Sequence, residues 1–327
     1  MTKIAAKSKS INQLASEHCA RLKSYIEQAD TNYKLDDLNC DLLHIFDMDF
    51  EQIVTALPKS MRELIPKAPN SYTSSILSLK KLYEVFRNKW SSIIMEELNL
   101  NVCPYCNREY IFKFEDTKKA EARVIATFDH YYDKDSYPFL AVSFFNLIPC
   151  CSLCNSKFKH SENFYKKLHL HPYEESFNDR AKFHLKIENC DFCHLEDGFE
   201  VKLFPNNSND DVVKNSIATF RLDNLYKHHK DIVLELIQKA EIYNESYIDE
   251  LMKNYEGTLF KNREDLIRLI FGGYITDEEI SIKRGKNNAN KFENEVAFAR
   301  SYLVKTGYID KSVYGIWTLT DAGKNVE

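Results

Sequence analysis

Apolar residues recur at three- and four-residue spacing through most of the chain, the signature of helices with one buried face. Leu79, Leu82, Phe86, Trp90 and Ile93 form one such stripe, and residues 1–100 read as helical, punctuated by Pro58, Pro66, Pro69 and Asn70. The stripe predicts a core-facing helix. A second stripe, Ile232, Leu236, Ala240, Tyr243, Tyr247 and Leu251, predicts a long helix within a helical region over 173–290. Between them, over 101–172, the texture changes to clustered Cys, His, Asn and aromatic residues. Arg108–Phe114 and Val124–Phe128 read there as strands, and Ser152–Tyr165 as a short helix.

The last segment, 291–327, has its own pattern. Phe292, Val296, Ala299 and Leu303 make a helical face that Thr306-Gly307 stops, followed by a hairpin pattern over Tyr308-Ile309 and Gly315–Leu319. A helix with a two-stranded wing outlines a winged-helix unit, and the same pattern also suits a helix and hairpin packed on the main body. The fold class is therefore α+β and mostly helical.

Composition narrows the function classes. No apolar run reaches the ~18 residues of a membrane-spanning helix, and the opening residues lack the apolar core of a secretory signal, which predicts a cytoplasmic protein. In a reducing compartment, nine cysteines point to metal ligands and free thiols in place of disulfides. The net charge of −5 argues against indiscriminate coating of nucleic acid, but one basic face would suffice for specific contact.

Two knuckles carry the chemistry. Cys103-Pro104-Tyr105-Cys106 and Cys151-Ser152-Leu153-Cys154 each turn two thiolates back on one ion, and together they complete the tetrahedral shell that Zn²⁺ prefers. Such a closed site is structural. Cys150 adjoins the second knuckle, but only Cys151 keeps the two-residue gap to Cys154. The stretch between Cys106 and Cys151 is longer than a simple zinc ribbon's and holds Asp129-His130 after a strand-like run. Asn146-Leu147 precedes the second knuckle, and Asn155 follows Cys154 directly.

In that order of motifs the chain resembles the HNH, or ββα-metal, endonuclease family in its zinc-braced form. The resemblance spans residues 101–172 and extends to the phrases Cys103–Ile111, His171-Pro172-Tyr173 and Leu225–Lys230. It implies an embedded ββα-metal domain between helical flanks, with His130 as the general base that takes a proton from water. Asp129 and Asn155 would hold Mg²⁺ or Mn²⁺ through oxygen, and Asn146 would steady the loop that carries His130. Lys157 and Lys159 follow on the same short helix, as phosphate contacts or as a solvated face. Tyr131, Tyr132 and Tyr137 suit hairpin packing better than base stacking.

Resemblance to bacterial members with long helical flanks implies cleavage of DNA in anti-phage defence or restriction. Related nucleases in Septu-like and retron-linked systems work beside an ATPase, so a partner protein could dock on the flanks. The carboxyl-terminal segment looks like the winged helix that precedes the nuclease domain in Mrr-type restriction enzymes. The rival reading is a non-catalytic zinc-knuckle module that binds nucleic acid or protein; it leaves Asp129, His130 and Asn155 unexplained. Cys190-Asp191-Phe192-Cys193-His194 matches a haem-attachment string, but two partly buried thiols are the simpler reading, ahead of a second zinc site completed by His169, His171 or His184.

Overall fold

The computed structural model describes residues 1–28, 34–116, 121–178 and 180–271, and beyond them four two-residue strands. It is a mixed α and β fold in two compact units. The first comprises Met1–Lys182 and Leu203–Leu222, the second Phe183–Lys202 and Asp223–Glu327. No helix among the described residues is long and apolar enough to cross a membrane.

The first unit opens with α1 (Ile11–Gln28), whose buried Leu14, Ala15, His18, Cys19, Leu22 and Ile26 keep helical spacing. In α2 (Leu35–Phe46) Leu38, Leu42 and Phe46 are buried, and Asp47 closes the helix in a left-handed conformation (φ 58°). A reciprocal capping box between Asp49 and Gln52 starts α3 (Phe50–Val54) by satisfying two backbone donors that the first turn leaves open. Next come α4 (Pro58–Leu64) and α5 (Ser74–Leu77).

The stripe that begins at Leu79 forms α6 (Leu79–Lys89), with Leu79, Leu82, Tyr83 and Phe86 buried. It does not run on through Trp90. Trp90 leaves helical geometry at φ −127°, and α7 (Ser91–Glu97) restarts the chain with Ile94 and Met95 as its buried pair. The Ser91 hydroxyl donates to the Arg87 carbonyl (2.6 Å) at this break. A hydroxyl bonded back one turn is a common companion of helix bends.

These helices share one core with the cysteine-rich segment. The Phe46 and Phe139 rings lie 4.3 Å apart, the Ser143 hydroxyl donates to the Ile53 carbonyl (2.9 Å), and His18 Nε2 bonds the Val142 carbonyl (2.9 Å). Residues 1–100 and 101–172 thus fall within the same unit.

Strands in this region come in pairs. β1 (Lys113–Asp116) pairs antiparallel with β2 (Glu121–Val124). β3 (Thr127–His130) pairs with β4 (Leu147–Cys150), with Asp129 opposite Ile148 and His130 opposite Leu147. The segment expected to be helical from residue 173 begins instead with a ribbon of β5 (Ala181–Ile187) and β6 (Phe199–Pro205). The alternation of buried Phe199, Val201 and Leu203 with Glu200 and Lys202 gives the period of two that favours a strand. Helix α8 (Asp211–Thr219), capped by Asp210, completes the first unit with Leu222, the first residue of α9 (Leu222–Tyr226).

In the second unit, Val233, Leu234 and Ile237 of α10 (Lys230–Ile242) pack on Phe192, Phe199 and Val201. The long helix expected through Tyr243 to Leu251 is interrupted. Asn244 accepts from the Tyr247 amide and starts α11 (Glu245–Tyr255) as its N-cap, a role for which Asn is favoured because its side chain competes with helical backbone bonds. Helix α12 (Arg263–Phe271) adds Leu266, Ile267, Ile270 and Phe271 to a cluster with Ile248 and Phe260. The helix expected over Phe292–Leu303 lies outside the described residues. Ile309–Asp310 pairs antiparallel with Thr318–Leu319, where the sequence pattern has its hairpin.

Buried His18 makes the first unit acid-sensitive. Burial lowers its pKa to about 4, and the Val142 bond only partly offsets this. The unfolded chain, with His near 6.5, therefore takes up this proton first as pH falls. The stabilisation is complete above about pH 6.5 and is lost on descent to about pH 4, on the order of 3 kcal/mol. Thermal midpoints measured at pH 7.5 and 4.5 should fall less in His18→Gln than in the parent. Equal falls would contradict this account.

Candidate zinc-braced hairpin site

The first knuckle lies between α7 and β1. Asn107 sits at φ 50° and its amide donates to the Cys103 carbonyl (2.7 Å), while the Cys103 amide bonds the Glu109 carbonyl (2.8 Å). These bonds fold Cys103 and Cys106 back toward each other. The second knuckle leaves the end of β4, with the Cys154 amide directed at Cys151 Sγ (3.4 Å).

The four sulfurs of Cys103, Cys106, Cys151 and Cys154 are buried and lie within 4.8 Å of one another, Cys106 to Cys151 at 4.0 Å. A tetrahedral zinc with Zn–S bonds of ~2.3 Å needs sulfur separations of roughly 3.8 Å, so the donor set fits such an ion after small adjustments. Burial also raises the Cys103 thiol's pKa, and a bound cation is what would let buried sulfurs carry thiolate charge. Cys150, equally buried, stands outside the cluster beside Thr127. Spacing alone had separated Cys150 from Cys151.

The hairpin β3–β4 leans on this brace. Its connecting loop is stitched by Asn146, which is fully buried. The Asn146 side chain accepts from the Tyr132 amide (2.7 Å) and donates to the Tyr132 and Leu140 carbonyls (3.0 and 2.9 Å). That is loop-holding work, in the segment that directly follows His130.

His130 is buried, and its Nε2 lies 2.9 Å from the Ala141 carbonyl. A carbonyl only accepts, so this contact puts the proton on Nε2 and leaves the lone pair on Nδ1. Burial lowers the imidazole's pKa to about 4, so the ring rests neutral near pH 7. Its edge meets Tyr83 at 4.4 Å, and the Tyr83 hydroxyl donates to the Phe128 carbonyl (3.0 Å), which fastens α6 onto β3.

Asp129 is as buried as His130 and fully engaged. Oδ2 accepts from the Tyr105 hydroxyl (2.7 Å) and Oδ1 from the Lys159 ammonium (3.0 Å). Lys159 also donates to the His130 carbonyl (2.7 Å) and lies over the Phe164 ring (4.9 Å). The side chain read as a phosphate contact or solvated charge is therefore buried and is the counter-charge of Asp129. Lys157, its neighbour, is exposed.

Both Asn155 and Lys159 belong to a π-helical turn, Leu153–Lys159, shorter than the expected Ser152–Tyr165 helix. The His160 amide bonds the Asn155 carbonyl (3.0 Å), and His160 ends the turn at φ 43°. Asn155 and Lys159 stand one wide turn apart, so both face β3. Asn155 donates through Nδ2 to the Thr127 hydroxyl (3.1 Å), which leaves its oxygen for another partner.

Asp129, His130, Asn155, Lys159 and His160 line one cleft together with Tyr83, Glu84, Arg87, Asp133 and Lys134. A carboxylate and an amide oxygen on one wall suit a hard cation such as Mg²⁺, for which Lys159 competes at Asp129. Sequence reasoning missed Lys159's role and that of Tyr105; the only signal for Tyr105 is its position inside the first knuckle. Tyr131 and Tyr132 are buried packing residues, with the Tyr131 hydroxyl on the His169 carbonyl (2.8 Å). Cys190 and Cys193 are half-buried, and among the described residues they join no metal-capable cluster.

Replacing Lys159 should destabilise the first unit sharply. Lys159→Met leaves Asp129 buried without its counter-charge, a loss of about 3–5 kcal/mol for a broken buried pair. A urea titration of folded, zinc-loaded protein would read it, and a loss under 1 kcal/mol would contradict the buried pairing.

Against known proteins, the sequence profile of the Mrr N-terminal domain matches residues 250–327. That match begins within α11 rather than near residue 291, and associates the carboxyl-terminal segment with restriction systems. No curated protein and no solved structure matches the chain.

Proposed function

We propose that this protein is a metal-dependent HNH-type nuclease that hydrolyses phosphodiester bonds in DNA, as part of a bacterial restriction or anti-phage system. The observation that carries this reading is the convergence of Asp129, His130 and Asn155 on one cleft, on a hairpin braced by four cysteines. In this reading His130 Nδ1 accepts a proton from a water that attacks phosphorus, and the P–O bond to the leaving strand end breaks as the new bond forms. Asp129 and Asn155 would hold a Mg²⁺ or Mn²⁺ ion, which when bound would offset charge on the phosphate and the leaving oxygen. Asn146 keeps the loop after His130 in place.

The Mrr N-terminal match supports the restriction setting and a DNA-contacting role for the carboxyl-terminal segment. An ATPase or other defence protein docking on the helical flanks, in the cytoplasm, belongs to the same reading.

One observation favours a second reading, a zinc-knuckle module that binds nucleic acid or protein without cutting it. Both Asp129 oxygens already have protein partners. Nicking of supercoiled plasmid separates the two: the nuclease reading expects Mg²⁺- or Mn²⁺-dependent nicking, and its absence from folded, zinc-loaded protein would leave the binding module.

A further inference from the structure

The cleft mixes acids and bases, and most of its charges are already matched. Asp129 and Lys159 pair at 3.0 Å, and Lys134 lies 3.8 Å from Glu84 and over the Tyr83 ring. Asp133 is turned to its own loop, where one oxygen accepts from the Ser136 amide and hydroxyl (both 2.9 Å). The His130 ring is bonded through Nε2 to the Ala141 carbonyl (2.9 Å), and the exposed His160 ring contacts the Ser161 hydroxyl (3.0 Å). Among the described residues, Arg87 is the cation of this cleft that has no carboxylate partner.

Its placement is not accidental. Arg87 is exposed on α6, one turn beyond Tyr83, and Tyr83 is bonded to β3 through the Phe128 carbonyl. Phe86, adjacent to Arg87, packs edge-on against Phe128 (5.2 Å). The helix that bears Arg87 is thus held against the strand that bears Asp129 and His130. A guanidinium presents several N–H donors in a planar fork that matches two oxygens of a phosphate, and it stays charged at any working pH.

We infer that Arg87 is the anion-binding group of the cleft, gripping non-bridging oxygens of the phosphodiester that lies there. The inference rests on the nuclease reading and adds to it a substrate-binding residue supplied by the amino-terminal helices, outside the knuckle-and-hairpin segment.

Steady-state cleavage of a defined DNA duplex tests it. Loss of a charge-assisted contact that is fully made with the substrate should lower kcat/KM by about 10–100-fold in Arg87→Ala. Arg87→Lys, which keeps the charge and loses the fork, should fall between that variant and the parent. The thermal midpoint should stay within a degree or two, because Arg87 is exposed, and Lys81→Ala on the same helix should cut like the parent. If Arg87→Ala keeps kcat/KM within twofold while His130→Ala is inactive, the Arg87 assignment is wrong and the nuclease reading stands. If the parent itself cuts no DNA with Mg²⁺ or Mn²⁺, both fall.

Discussion

With Cys103 and Cys151 both replaced by serine, the purified protein is expected to hold no zinc and to lose the packing of its first unit around the knuckles. The parent should carry about one zinc per chain. Structural zinc sites contribute roughly 10–16 kcal/mol of apparent binding energy in small zinc-finger peptides at neutral pH, as much as the whole net stability of a typical domain.

Here the brace does more than close a loop. Tyr105, between Cys103 and Cys106, stacks on Phe220 (4.3 Å, 18°) and donates to Asp129, and the Thr2 amide bonds the Pro104 carbonyl (2.9 Å). Releasing the knuckle therefore loosens the carboxylate on the neighbouring hairpin. Elemental analysis of metal content, with thermal melting alongside, reads both effects. Cys150→Ala is the control, because Cys150 is buried outside the sulfur cluster and its removal should leave zinc in place. Full zinc content in the double variant would overturn the assignment.

His130→Ala should lower DNA cleavage by about 10²–10⁴-fold, the range that a positioned general base contributes, while zinc content is retained. The ring's Nε2 is committed to the Ala141 carbonyl, so Nδ1 is the atom whose loss matters. Asp129→Ala and Asn155→Ala should respond differently: each removes an oxygen proposed to hold the ion, so added Mn²⁺ should recover part of their rate and none of that lost in His130→Ala. Asn146→Ala removes three bonds to the loop and should fall between parent and His130→Ala. A contaminating nuclease would not reproduce this pattern of metal rescue. If His130→Ala cuts as fast as the parent under matched metal, the proposed mechanism is wrong and the binding-module reading takes its place.

Much of the cysteine site was legible along the chain, because a C-x-x-C turn is local and its spacing decides which sulfurs can share an ion. Cys151 was separable from Cys150 on that ground alone. Asn146 was expected to steady a loop, and its three bonds to Tyr132 and Leu140 lie in that loop. The apolar stripes that begin at Leu79 and Ile232 located α6 and α10, because the packed face of a helix repeats every three or four residues. Where those stripes break was less visible. Trp90 breaks helical geometry between α6 and α7, and Asn244 caps the start of α11 with its side chain; a count of apolar residues registers neither.

What the sequence determined by itself was which four cysteines cluster and the order of Asp129, His130, Asn146 and Asn155 between and beside the knuckles. Tertiary structure alone decided what surrounds them. Tyr105 and Lys159, 24 and 30 residues from Asp129, become its partners only when the hairpin and the π-turn close on each other. A surface-looking lysine becomes a buried counter-charge in the process. Local spacing restricts what a few neighbouring residues can reach, whereas a charge pair of this kind depends on which distant elements share a core and exclude water between them.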